Sequence, residues 1–125
     1  MEKLYISPEK TTPEINFDPK MGILSVSGES YPENSAAFYA PVFDWLYNYL
    51  STKPEFEFYF KMVYFNTSSS KAILDIIDIL EKYHENNGKV KLIWYHDEDD
   101  EDIMESGEEF TEKLNMPCEI RMKKE

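Results

Sequence analysis

The chain has 125 residues, 42% hydrophobic and 15% aromatic, which fits one domain with one core and is too rich in large apolar side chains for disorder. A formal net charge of −12 excludes nucleic acid and anionic membranes as partners, because phosphate surfaces are held by Lys and Arg patches that this chain lacks. The single cysteine, Cys118, excludes an internal disulfide; with no secretory signal and no run near the roughly 20 apolar residues of a membrane span, a cytoplasmic protein is expected.

Thr12–Phe17 and the alternating Ile23–Ser27 flank the turn-like Asp18-Pro19-Lys20-Met21-Gly22, which predicts an antiparallel N-terminal hairpin. From Ala36 to Leu50, Phe38, Val42, Trp45, Leu46 and Tyr49 recur at spacings of three and four, the stripe of a helix. Asn34 or Ser35 is its expected cap, and Ser30-Tyr31-Pro32-Glu33 is an alternative capping box. Pro41 inside the stripe marks either a kink or a start nearer Ala40. Phe56–Phe65 reads as a central strand whose second half is apolar on both faces, the pattern of a sheet covered by helices on both sides.

A second helix carries Ile73, Ile76, Ile77, Leu80 and Tyr83 and stops at Asn86-Asn87-Gly88. Val90–Tyr95 is the next strand, joined by a right-handed crossover. The acidic run Asp97–Asp102 then leads into a helix bearing Ile103, Met104, Phe110 and Leu114, and Pro117–Lys123 alternates as a half-exposed edge strand. These elements predict a small single-domain α/β sandwich over residues 1–125. Its mixed sheet has four to five strands, with the N-terminal hairpin and helices packed on it.

The most informative feature is Phe65-Asn66-Thr67-Ser68-Ser69-Ser70-Lys71, four consecutive hydroxyls between a strand and a helix. A helix N-terminus presents unpaired N–H groups and the positive end of the helix dipole, so it favours an anion, bound or covalently attached. Capping alone requires only one of the four hydroxyls. Thr67 stands at the carboxyl edge of the strand, the usual binding edge of open α/β sheets. Lys71, one turn along, is a candidate counter-charge, and Asn66 and Ser68 complete the expected surroundings of a phosphate.

Other candidates are weaker. The acidic run lacks the glycine and glutamate of a calcium loop and reads as a solvated loop whose last acids favour the next helix start. His84 and His96 have no metal-ligand spacing, and Cys118 falls on a predicted core face, so no metal and no cofactor are expected. Asn66-Thr67-Ser68 matches a glycosylation acceptor, which has no meaning without secretion. No P-loop, nucleophile elbow or dinucleotide fingerprint is present. Two functions remain open on the residues: a hydroxyl switched by phosphorylation, or a non-covalent phosphate, nucleotide or flavin site built on Thr67, Ser68 and Ser69.

Three segments carry a resemblance. Gly28-Glu29-Ser30-Tyr31-Pro32-Glu33-Asn34-Ser35, Tyr64-Phe65-Asn66-Thr67-Ser68-Ser69-Ser70-Lys71 and Trp94-Tyr95-His96-Asp97 resemble the SiaC-type regulatory phosphoproteins, also called biofilm-regulation phosphoproteins. That resemblance implies a fold like the STAS domain of anti-sigma-factor antagonists, and a non-enzymatic switch in c-di-GMP signalling. In it a serine/threonine kinase phosphorylates Thr67, a PP2C-type phosphatase removes the phosphate, and the unphosphorylated form binds and activates a diguanylate cyclase. Ser68, Ser69 and Ser70 stay as alternative phosphosites, and Tyr31, Pro32, Glu33, Asn34 and Ser35 as the candidate partner interface.

Overall fold

Asp18 makes the turn that ends at Gly22 in the computed structural model, which describes residues 1–123. Its Oδ1 accepts from the backbone N–H of Lys20 and Met21, and its carbonyl accepts from Gly22, whose φ of +66° suits glycine. The turn joins β2 (Glu14–Asp18) to β3 (Ile23–Ser30) as the expected hairpin. A further strand, β1 (Leu4–Ile6), pairs antiparallel with β2. Three residues are too short to show a period, so the sheet has six strands instead of the four to five expected.

Then come α1 (Ser35–Leu50), β4 (Glu55–Phe65), α2 (Thr67–Glu85), β5 (Lys89–Asp97), α3 (Glu101–Thr111) and β6 (Cys118–Lys123). The sheet order is β1-β2-β3-β4-β5-β6, and β3 to β6 run parallel. Pro41 lies within α1, which starts at Ser35 and continues to Leu50. Tyr39, Val42, Leu46 and Tyr49 make its buried stripe, while Phe38 is only partly covered. Leu114, placed on the last helix by its spacing, lies beyond α3 and packs against the core from the following turn.

Each parallel pair is joined through one helix, and the strand order advances in one direction. Right-handed crossovers repeated that way put every helix on the same face. The core agrees: Trp45 of α1 packs on Phe17, Tyr83 of α2 on Phe56, and Phe110 of α3 on Trp94, all from one side of the sheet. Phe58, Phe60, Leu92 and Trp94 on that side are fully buried, each contributing about 1.5–3 kcal/mol by the rule for apolar burial. The expectation of helices on both faces is therefore corrected. Tyr59, Lys61, Val63 and Tyr95 project from an uncovered face.

Val63 explains why the pattern misled. Gly28 is opposite Met62 but Glu29 is opposite Tyr64, so Val63 is an extra residue, a bulge. Gly28, at φ +110°, accommodates the shift on β3. Met62 stays in the core, but the irregularity leaves the next two apolar residues outside it: Val63 is 53% and Tyr64 51% exposed.

Candidate functional site

Because β4 and β5 are parallel, the β4–α2 and β5–α3 junctions share the carboxyl edge of the sheet. The start of α1 comes to the same edge. Asn66 N–H donates to the Ser30 carbonyl at 3.1 Å, which ties the end of β4 to the end of β3.

Asn66 caps α2. Its Oδ1 accepts from the Ser69 N–H at 2.9 Å and from the Ser68 hydroxyl at 3.2 Å. Asn66→Ala should therefore cost about 1 kcal/mol, the usual worth of an N-cap, seen as a lower urea midpoint at unchanged slope.

The four hydroxyls have different fates. Ser69 is fully buried and shares a 2.7 Å hydrogen bond with Ser30, which in turn bonds the Tyr39 hydroxyl at 2.7 Å. Ser68 is exposed but tied to Ser35 at 2.9 Å. Ser70 is partly buried. Thr67 is the first residue of α2, exposed, and its hydroxyl has no hydrogen-bond partner among the described residues.

A dense cluster of hydroxyls therefore lies just beneath Thr67: Ser30, Ser35, Tyr39 and Ser69, all buried. Burial pushes the Tyr39 phenol above its usual range, so it remains a neutral hydrogen-bonding group. Sequence spacing did not reveal this cluster, since Ser30 and Ser69 are 39 positions apart. The only hint was that Ser30-Tyr31-Pro32-Glu33 resembled a cap.

The segment Tyr31–Ser35 adjoins the same turn. Ser35 reaches Ser68, Asn34 caps α1 by accepting from the Ala37 N–H at 3.1 Å, and Pro32 is buried. Those three brace the fold. Glu33 is exposed, and the partly exposed Tyr31 meets Tyr64 edge-on at 5.8 Å. Tyr64 was missed because its strand looked buried on both faces.

Lys71 does not turn back to Thr67. Its Nζ pairs with Asp75 at 3.1 Å, one turn further along α2. An exposed pair of this kind adds little, and it leaves the helix dipole and amides as the positive features at Thr67.

The acidic run is divided among structural tasks. Asp97 ends β5, Asp100 caps α3 by accepting from the Ile103 N–H at 3.1 Å, and Glu101 and Asp102 fill the first turn, where acids complement the dipole. Among the described residues no group of three or more His, Cys, Asp or Glu side chains is placed to hold a metal ion. Cys118 is half-buried, and burial, then Glu81, push its thiol up to about 11, too high for a nucleophile near neutral pH. Two surface cavities, of about 710 and 570 Å3, lie at the amino ends of β4 and β5 and include none of the hydroxyl run. No described helix is long and apolar enough to cross a membrane.

Known proteins share this fold. SiaC of Pseudomonas aeruginosa superposes with a TM-score of 0.90 at 36% identity, covering 98% of this chain and all of that one. The chain is also similar to one component of the crystal structure of the diguanylate cyclase SiaD in complex with its activator SiaC from Pseudomonas aeruginosa. That match has a TM-score of 0.92 at 38% identity and covers 96% of this chain and 99% of the matched one. A protein of Pseudomonas aeruginosa strain UCBPP-PA14 is 38% identical over 122 residues, 97% of each chain. The pattern of the SiaC family regulatory phosphoproteins matches residues 6–123. With the hydroxyl run at the sheet edge and a relative of this identity over nearly the whole length, the chain belongs to the SiaC family of regulatory phosphoproteins.

Proposed function

We propose that this protein is a non-enzymatic, cytoplasmic switch whose unmodified Thr67 edge docks on a diguanylate cyclase and activates it. A serine/threonine kinase adds a phosphate to Thr67 and a PP2C-type phosphatase removes it, which places the protein in c-di-GMP and biofilm signalling. The similarity to the SiaC component of the SiaC–SiaD complex supports the choice of partner.

The observation that carries the reading is the inequality of the four hydroxyls: Thr67 alone is both exposed and without a hydrogen-bond partner for its hydroxyl among the described residues, while Ser68 and Ser69 are held by Ser35 and Ser30 and Ser70 is partly buried. A phosphate there adds about −1.5 to −2 charges and three acceptor oxygens, favourably placed for the α2 amides. The same charge is unfavourable for a partner, because a dianion inside a packed contact is desolvated and faces the acids at Asp97–Asp102 on the same edge. In the alternative of a non-covalent anion cradle, the Ser69 hydroxyl would have to leave its buried partners, so no second reading is favoured.

The test is cyclase binding and c-di-GMP synthesis with Pseudomonas aeruginosa SiaD as probe. Thr67→Ala should bind and activate like the wild type, whereas Thr67→Glu and the phosphorylated protein should bind about ten- to a hundredfold more weakly, or about 1.4–2.7 kcal/mol. Equal affinity of all forms would overturn the proposal.

A further inference from the structure

We propose that the uncovered face of β4–β6 is a second part of the partner surface and receives an acidic segment of the cyclase. The inference rests on the docking reading above and extends it beyond the Thr67 edge.

At the centre of this face the rings of Tyr59 and Tyr95 stack, 6.0 Å between centroids and 21° between planes, over the fully buried Ile93. Two cations flank the pair. Lys61 Nζ lies 5.6 Å from the Tyr59 ring and 5.4 Å from the Tyr95 ring, and the Arg121 guanidinium is 5.4 Å from Tyr95 while donating to its hydroxyl at 2.7 Å. The Tyr59 hydroxyl donates to Glu57 at 2.6 Å, so both rings are fixed before any partner arrives. Preorganised tyrosines beside arginine are the composition of binding hot spots, because little side-chain entropy is left to lose.

Charge specifies the occupant. Arg121 and Lys91 share Glu119, but Lys61 has no carboxylate within ion-pair distance among the described residues. An exposed cation over aromatic rings therefore stands unneutralised on a chain whose net charge is −12. A carboxylate from outside completes it.

Position links it to the switch. From Lys61 the same strand leads through exposed Val63 to Tyr64, which meets Tyr31, and then to Asn66 and Thr67. The acids of α3 lie on the opposite, helical side, where they repel an acidic segment and restrict it to the open face. An acidic partner also accounts for the sign of the switch: a phosphate on Thr67 would repel what Lys61 attracts.

The experiment measures SiaD affinity for wild type, Lys61→Glu, Lys61→Arg and, as a control on the helical side, Lys82→Glu, each at low and high salt. Lys61→Glu should bind about tenfold or more weakly and lose part of the salt dependence, while Lys61→Arg and Lys82→Glu bind like the wild type. Thermal melting of Lys61→Glu establishes that it is folded. Wild-type affinity for Lys61→Glu, with Thr67→Glu still weakened, overturns this surface and leaves the Thr67 reading standing. Failure of the wild type to bind the cyclase overturns both. Self-association of the wild type that Lys61→Glu abolishes assigns the face to a second copy and also overturns the proposal.

Discussion

Trp94→Ala should lower the unfolding free energy by about 3–5 kcal/mol, the usual cost of truncating a large aromatic side chain in a close-packed core. Trp94 is fully buried, and its ring meets Phe60, Phe65 and Phe110 at centroid distances of 5.4, 6.3 and 5.7 Å. Its Nε1–H also donates to the Ile103 carbonyl at 2.9 Å, so the truncation leaves both a void and a buried acceptor without its donor. Domains are stable by only about 5–15 kcal/mol, so the variant should sit near the edge of folding, with a lower urea midpoint. The loss reaches the switch as well, since Phe65, one residue before Asn66, packs on this ring.

Gly107 provides the matching test from α3. A Cβ built there falls 2.3 Å from the Trp94 ring. Alanine would ordinarily stabilise a helix interior by about 1 kcal/mol over glycine, yet here overpacking of about 1–3 kcal/mol should win. In a Trp94→Leu background the penalty of Gly107→Ala should shrink, a coupling that a double-mutant cycle reads directly.

The second large effect is expected at Glu81, 9% exposed on α2. One carboxylate oxygen accepts from the Asn115 N–H at 2.8 Å and the other from the Met116 N–H at 3.0 Å, which fixes the connection from α3 to β6. Glu81→Ala strands two backbone donors, Met116 being buried, and should cost about 3 kcal/mol. Glu81→Gln keeps one acceptor oxygen and should cost about half as much. Urea unfolding gives the totals, and amide exchange of residues 115 and 116 should rise in Glu81→Ala before that of the β5 core.

Periodicity made much of this fold legible. The stripes of α1 and α2 and the alternation of β3 gave the helices and the hairpin, because one buried face is enough to mark them. What failed was any feature set by distant contacts. β1 is held by its pairing and by Trp45, whose Nε1–H donates to the Glu2 carbonyl, and nothing within residues 4–6 announces that. Apolar residues on both faces of β4 suggested two covering layers, yet handedness put all the helices on one side. At the site, the residues showed four hydroxyls and the family resemblance singled out Thr67; the hydrogen bonds that hold Ser68 and Ser69 were not legible. Those bonds come from Ser30 and Ser35, which reach the turn only in the folded chain.

The extra residue at Val63 has a consequence for how the edge of the sheet tolerates change. In a regular strand Met62 and Phe65 would point to opposite faces, whereas here both turn toward the helices. Chain length between them, more than side-chain identity, decides which way Asn66 and Thr67 leave the sheet. Substitutions at Val63 and Tyr64 thus change the outer surface without redirecting the chain, but an insertion or deletion there would put the segment out of phase and carry Thr67 off the edge.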